Sequence, residues 1–233
     1  MNLRVLVPSL ILAAGIPAVA VEVRVDVSRN LNARPYVQPV KALFEEWYPK
    51  INGILFDKGT PLPFENIQVV FERMIVDGGT PDKHEVPAYA EGNAVHVNFA
   101  YLGHMPDDYQ AMLIHELAHV NQQYRENKDA GWLVEGIADY VRHKYFEKDI
   151  EAKLAFNGDV ATDKAKLAKE GYLFGYTVTS PFLYWLEVKK DKEIVRVLNL
   201  ALRNGTYSPE VFKQHCGAPL AALWAEFMAQ SKP

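Results

Sequence analysis

The chain is poor in cysteine and in net charge and has no long uninterrupted apolar run, and each shortage removes a class of protein. One cysteine, Cys216, among 233 residues allows no internal disulfide and excludes a Cys-rich zinc ribbon or a C-x-x-C redox motif. With 25 Lys+Arg against 29 Asp+Glu the formal charge is −4. No basic patch breaks that balance, so neither nucleic acid nor an anionic lipid surface is an expected partner. Internal repeats and low-complexity linkers are also missing. The length and the 49% hydrophobic content point instead to one globular domain, or one domain of two lobes, with a core of its own.

The apolar stretch that does open the chain runs from Val5 to Ile16 and is interrupted by Pro8. It is too short for a membrane span, which needs about 20 residues. Arg4 precedes it and Ala18-Val19-Ala20 follows it, the pattern of a secretory signal cleaved after Ala20. No cysteine follows the run, which excludes a lipoprotein anchor. The expected location is therefore secreted or periplasmic, with no membrane partner after cleavage. Loss of Arg4 takes the formal charge from −4 to −5. The lone thiol of an exported chain is best tolerated buried, and Cys216 reads as a small core residue.

Residues 21–233 then form a single mature domain. V-E-V-R-V-D-V-S from Val21 to Ser28 alternates strictly and predicts a strand. Val40, Leu43, Phe44 and Trp47 stand at helical spacing within Tyr36 to Tyr48, predicting an amphipathic helix that ends near Pro49. Asn66 to Met74 is a second strand candidate, followed by a turn-rich loop from Asp77 to Pro81. Val86 to Ala90 and Ala94 to Tyr101 flank Glu91-Gly92-Asn93 and read as a hairpin. Strand signals stop there. A helix start at Pro106-Asp107-Asp108 leads into helical spacing to about Tyr124, a further helix spans about Trp132 to Phe146, and the rest is helical with loops at Asn204-Gly205 and Cys216 to Pro219. The expected fold class is α+β: a small mixed or antiparallel sheet packed on helices in a sheet-containing lobe (21–124), then a helical lobe (125–233).

The chemistry concentrates on His115-Glu116-Leu117-Ala118-His119. Positions i and i+4 lie on one face of a helix, so both imidazoles can reach one metal ion, while Glu116 projects beside them and can hold a water. Ala111, Met112, Leu113, Ile114, Leu117, Ala118 and Val120 surround the motif, which buries the helix and sets the polar edge in a cleft. A surface helix with two unrelated histidines would not carry that surround. Zinc in such a cleft lowers the pKa of a bound water to about 7.

Catalytic zinc takes three protein ligands, so a third is needed. The metzincin extension is missing, because Gln122 and Arg125 replace its glycine and histidine. Sixteen residues after His119, Glu135 and Asp139 share one face of the next helix among Leu133, Val134, Ile137, Ala138 and Val141, where unpaired carboxylates would be costly. Glu135 fits the ligand and Asp139 the group that accepts the other ring N–H of a ligand histidine. The remaining histidines, His84, His96, His104, His143 and His215, carry no ligand pattern.

HELAHVNQQ followed by GWLVEGIADYVRHKY resembles the basic secretory protein family of plant and bacterial zinc peptidases. VPAYAEGNAVHVNFAYL upstream, and GYTVTSPFLYWLE, LNLALRNGTY and LAALWAEF downstream, extend the resemblance from about Val23 to Phe227. It implies a zincin-like fold and a zinc-dependent peptidase. By position it implies His115, His119 and Glu135 on Zn2+ and Glu116 as general base and proton shuttle. For the oxyanion, the zinc aminopeptidases of the wider gluzincin group favour Tyr172 of Y-L-F-G, whereas the basic secretory pattern retains Tyr176; core packing is the alternative for both. Pro181 stands where the family commonly has a small residue followed by arginine, so no substrate contact is carried over there, nor any property resting on positive charge.

The strand from Ala94, if at a sheet edge beside the zinc helix, would pair with an extended substrate; an internal strand is the alternative. A peptide or protein substrate is the expected partner, and a monomer the expected state. A zinc-dependent hydrolase of a non-protein amide, such as a cell-wall component, and a non-catalytic zinc- and peptide-binding module remain open.

Overall fold

The computed structural model describes residues 21–75, 85–102, 108–125, 127–154 and 164–230. The expected signal segment, the expected loop from Asp77 to Pro81, the expected helix start before Asp108, and His84 and His104 lie outside them.

Strand β1 (Glu22–Asp26) buries Val23 and wets Glu22 and Arg24, as its alternation requires. A 3₁₀ turn (Leu31–Tyr36), capped by Asn30, leads into α1 (Val37–Leu55). This helix does not end at Pro49, as the sequence predicts, but runs six residues further. Pro49 sits on the wet face, and the carbonyl it leaves without a helical donor belongs to exposed Glu45, where water can take the bond. Ile51 and Leu55 continue the stripe of Val40, Leu43, Phe44 and Tyr48 and are fully buried; each such side chain contributes about 1.5–3 kcal/mol, enough to hold the turn after the proline.

Strand β2 (Asn66–Glu72), β3 (Ala88–Glu91) and β4 (Ala94–Asn98) complete a four-stranded sheet of order β1-β2-β4-β3. β1, β2 and β4 are parallel and β3 is antiparallel to β4; Gly92, at φ 58°, turns the β3–β4 hairpin. The sheet is thus mixed. β4 is internal, which settles its two readings, and among the described residues β1 and β3 are the two edges. β4 is also three residues shorter than its alternation predicts, because buried Asn98 stops it. The Asn98 amide donates to the carbonyls of Val86 (3.0 Å) and Ile75 (3.3 Å), while its Oδ1 accepts the Tyr101 N–H. That last bond caps the short helix α2 (Phe99–Leu102).

Helix α3 (Tyr109–Gln122) packs on α1 and on β3 and β4, and ends on Gln123 in the left-handed region. α4 (Gly131–Val141) runs straight into a π-helical segment, Arg142–Glu147. Then come α5 (Ile150–Lys153), α6 (Lys164–Glu170), a 3₁₀ turn (Gly171–Phe174), α7 (Tyr176–Lys189), α8 (Ile194–Asn204), α9 (Glu210–Cys216) and α10 (Leu220–Gln230). α7 lies close against α4, α10 packs on α6 and α7, and the rings of Phe182, Trp185, Trp224 and Phe227 fill the core between them. Cys216 is buried, and burial pushes its thiol up to about 11. Among the described residues no helix is long and apolar enough to cross a membrane. The fold is mixed α+β with a small mixed sheet.

Candidate metal centre

His115, Glu116 and His119 lie on α3, which is buried on nearly every side. Glu135 projects from α4 toward them. The Nε2 atoms of His115 and His119 are 3.0 Å apart, and Glu135 Oε2 is 3.1 Å from the first and 3.4 Å from the second. These separations match donors sharing one tetrahedral zinc, which at bond lengths near 2.0–2.1 Å stand about 3.3 Å apart.

The tautomers decide what the cluster can hold. Gln122 donates its amide N–H to the carbonyl of Val134 (3.2 Å), which turns its Oε1 toward His119 Nδ1 at 2.7 Å. Asp139 Oδ1 lies 2.7 Å from His115 Nδ1. Both Nδ1 protons are thereby committed, and the two Nε2 lone pairs converge with a carboxylate oxygen, an arrangement only a cation stabilises. A proton answers part of that demand. Burial disfavours charge on His115, yet its hydrogen bonds to Asp139 and Glu135 outweigh this and hold it up at about 10. Against the cost of burial, His115 and His119 hold Glu135 down at about 2, and His115 and His143 hold Asp139 well below the usual carboxylate range. The donor set therefore fits a borderline-soft divalent metal such as zinc.

Glu116 is 8% exposed and is not part of the converging set. Burial raises its pKa, opposed by the two histidines, so its carboxylate binds a proton more readily than a free one. It lines a cleft of about 790 Å³ whose walls include strand β3 and its approach from Val86, together with Tyr176 and Thr177.

The two candidate tyrosines part company. Tyr176 stacks on His115 (ring centroids 5.8 Å apart) and lines the cleft. Its φ of 44° is left-handed, a strain of about 1–3 kcal/mol for a bulky residue that the surrounding fold must impose. Gly175 permits the turn: its φ of 70° lies in the region that an L side chain rarely adopts. Burial, then the charges of Glu135 and Glu116, push the Tyr176 hydroxyl up to about 12. Tyr172 is packed elsewhere, edge-on to Trp132 and Trp224, and lines a separate depression of about 280 Å³.

Of the other histidines, His96 stacks on Tyr89 and contacts Glu72, and His215 contacts Asp191. His143 is the surprise, buried against Asp139 and Glu147. Sequence reasoning missed it and the orienting role of Gln122. The available signals were Gln122 one turn beyond His119 and His143 one turn beyond Asp139.

A helix-borne histidine pair with a glutamate from the next helix, set in a cleft beside a sheet edge, defines the class: an α+β protein with a candidate metal-binding hydrolytic site. The chain belongs to the basic secretory protein family, described as peptidases of plants and bacteria, which matches residues 63–227. β1 and α1 precede that match, which is shorter than the resemblance in the sequence. No curated protein and no solved structure matches the chain. Membership makes this a peptidase family chain, for which peptides or proteins are the implied substrates.

Proposed function

We propose that this chain is an exported zinc-dependent peptidase of zincin-like architecture, its signal segment removed after Ala20. The observation that carries the reading is the convergence of two Nε2 lone pairs and Glu135 Oε2, with both Nδ1 protons held away by Asp139 and Gln122. His115, His119 and Glu135 would hold the ion. Zinc, when bound there, supplies Lewis acidity to the scissile carbonyl and acidity to the attacking water.

Every other step falls to the chain itself. Glu116 takes the proton from the attacking water as its oxygen adds to the carbonyl carbon, then delivers that proton to the departing amine as the C–N bond breaks. A carboxylate whose pKa is raised by burial suits both transfers. Tyr176, a phenol that is protonated at neutral pH, donates its O–H to the developing oxyanion. The free edge of β3 pairs with the extended substrate backbone, so recognition rests mainly on main-chain hydrogen bonds.

The test is metal analysis combined with hydrolysis of a denatured protein and of a panel of non-protein amides. One equivalent of zinc and cleavage of the protein substrate are expected. Glu116→Gln should keep the zinc and lose about 10²–10⁴-fold in rate; full activity in that variant refutes the mechanism. Intact mass of the exported protein checks the cleavage site.

A further inference from the structure

Building on the metal site proposed at His115, we propose that His143 is a positioning residue that acts through Asp139: it steadies the carboxylate that aims the first histidine. Asp139 is 2% exposed and uses its two oxygens differently. Oδ1 accepts from His115 Nδ1 at 2.7 Å, while Oδ2 faces His143 Nε2 at 3.5 Å. The His143 ring, 1% exposed, is held from its other side, with Nδ1 2.5 Å from Glu147 Oε2 and 3.5 Å from Asp149 Oδ1. Glu147 Oε1 accepts from Arg142 Nη2 at 3.0 Å, and the same Nη2 reaches Asp108 Oδ2 at 3.1 Å. Asp108 is the residue immediately before α3. The polar contacts thus leave α3 at His115, cross α4 and return to the start of α3, closing a loop around the helix pair.

The π-helical segment makes the loop possible. Arg142 and Glu147 are five residues apart, the spacing that a π turn stacks and an α turn does not. The turn ends at Lys148, at φ 60°, and the Asp149 N–H donates to the His143 carbonyl at 3.0 Å. His143 Nε2 has no hydrogen-bond partner of ordinary length, and burying such a group is costly. It faces Asp139 Oδ2 at 3.5 Å, an ion-pair separation, so its hold on that carboxylate is electrostatic. His143, Glu147 and Asp149 are also close enough together for one ion, but the Arg142 guanidinium already supplies positive charge to Glu147.

The experiment measures the zinc dissociation constant by competition with a chromophoric chelator, and the visible spectrum of the cobalt-substituted protein, for the wild type and for His143→Leu, His143→Gln and Glu147→Gln. His143→Leu should weaken zinc binding about tenfold and shift the cobalt bands. His143→Gln, whose amide can still donate toward Asp139, should recover most of the affinity. Glu147→Gln, at a half-buried position, should move both readouts the same way by less, and decides the matter if His143→Leu does not fold. Wild-type affinity and spectrum in the folded variants overturn the proposal. So does a second zinc equivalent that His143→Leu removes, because the cluster would then be a metal site. A wild type that binds no zinc refutes the underlying metal reading, and that is seen before any variant is compared.

Discussion

Replacing Gly136 by alanine tests the tightest glycine contact among the described residues, which is also the mount of the site. A Cβ at Gly136 would lie 2.2 Å from Thr179 Cγ2 and 2.7 Å from Thr179 Cβ, against an ordinary carbon–carbon contact of about 3.5–4.0 Å. The shortfall exceeds about 1 Å. Thr179 cannot swing aside freely, because it is fully buried and its Oγ1 donates to the Tyr172 carbonyl at 2.7 Å. So α4 and α7 must separate. Alanine gains about 1 kcal/mol in helix propensity over glycine, whereas overpacking costs about 1–3 kcal/mol. A gap this large falls at the upper end of that range, for a net loss of about 1–2 kcal/mol. At about 2–4 °C per kcal/mol for a domain of this size, Tm should drop by about 2–8 °C. Circular dichroism melting in excess chelator measures it without a contribution from bound metal. Glu135 directly precedes Gly136 in α4, and a centre that tolerates displacements of only about 0.5 Å should lose zinc affinity as well. Thr179→Ser deletes the atom at 2.2 Å and keeps the hydroxyl, so the double variant should recover part of both losses. A Gly136→Ala protein that melts at or above the wild type, or a double-mutant cycle with no coupling, refutes the argument.

Tyr176→Phe should lower kcat about 10²-fold with little change in KM, as loss of an oxyanion donor does; steady-state kinetics checks this, and Tyr172→Phe, away from the cleft, should leave kcat near wild type. Despite burial, His143 and Arg142 hold Glu147 down at about 2. A depressed folded-state pKa gives stability that is present above the ordinary value near 4.5 and lost as pH falls toward 2. In chelator, Glu147→Gln should therefore flatten the fall of Tm with acidification across that window. Adding chelator to the zinc-loaded protein at pH 7 should lower Tm, and restoring zinc should reverse the loss.

Much of the local structure was legible because it rests on periodicity. Alternation marked β1 and the hairpin, and the apolar surround of the His115 motif marked α3 as buried. What was not legible depends on partners distant in sequence. Nothing in A-V-H-V-N says that β4 takes β2 on its other side and so becomes internal, leaving β3 at one edge of the sheet. Pro49 reads as a stop until Ile51 and Leu55 are seen against the core. The cap formed by Asn98 depends on carbonyls at Ile75 and Val86. In the candidate site, helical spacing brings His115 and His119 together, but Tyr172 and Tyr176 differ only by the left-handed turn at Gly175 and Tyr176 that aims one ring at His115 and leaves the other among tryptophans. Spacing does not distinguish them.

The lone cysteine leaves the chain to fix its central helix by other means, and the means are side chains from distant elements. At the start of α3, Arg142 grips Asp108. At its end, Arg203 of α8 donates to the carbonyls of Asn121 (3.0 Å) and Gln122 (2.9 Å), two of the four that a helix terminus leaves without partners. Just beyond, the Tyr124 hydroxyl donates to Asn199 Oδ1 at 2.6 Å, and the Asn199 amide donates to the Leu55 carbonyl at the end of α1 at 2.8 Å. Asn199 is fully buried, where an unmade hydrogen bond costs about 1–3 kcal/mol, so these contacts specify one arrangement. His115 and His119 sit between two anchored ends, each ring turned by its own acceptor. A site whose donors must hold within about 0.5 Å needs a helix that neither slides nor rotates, and buried polar contacts at both termini provide one without any covalent cross-link.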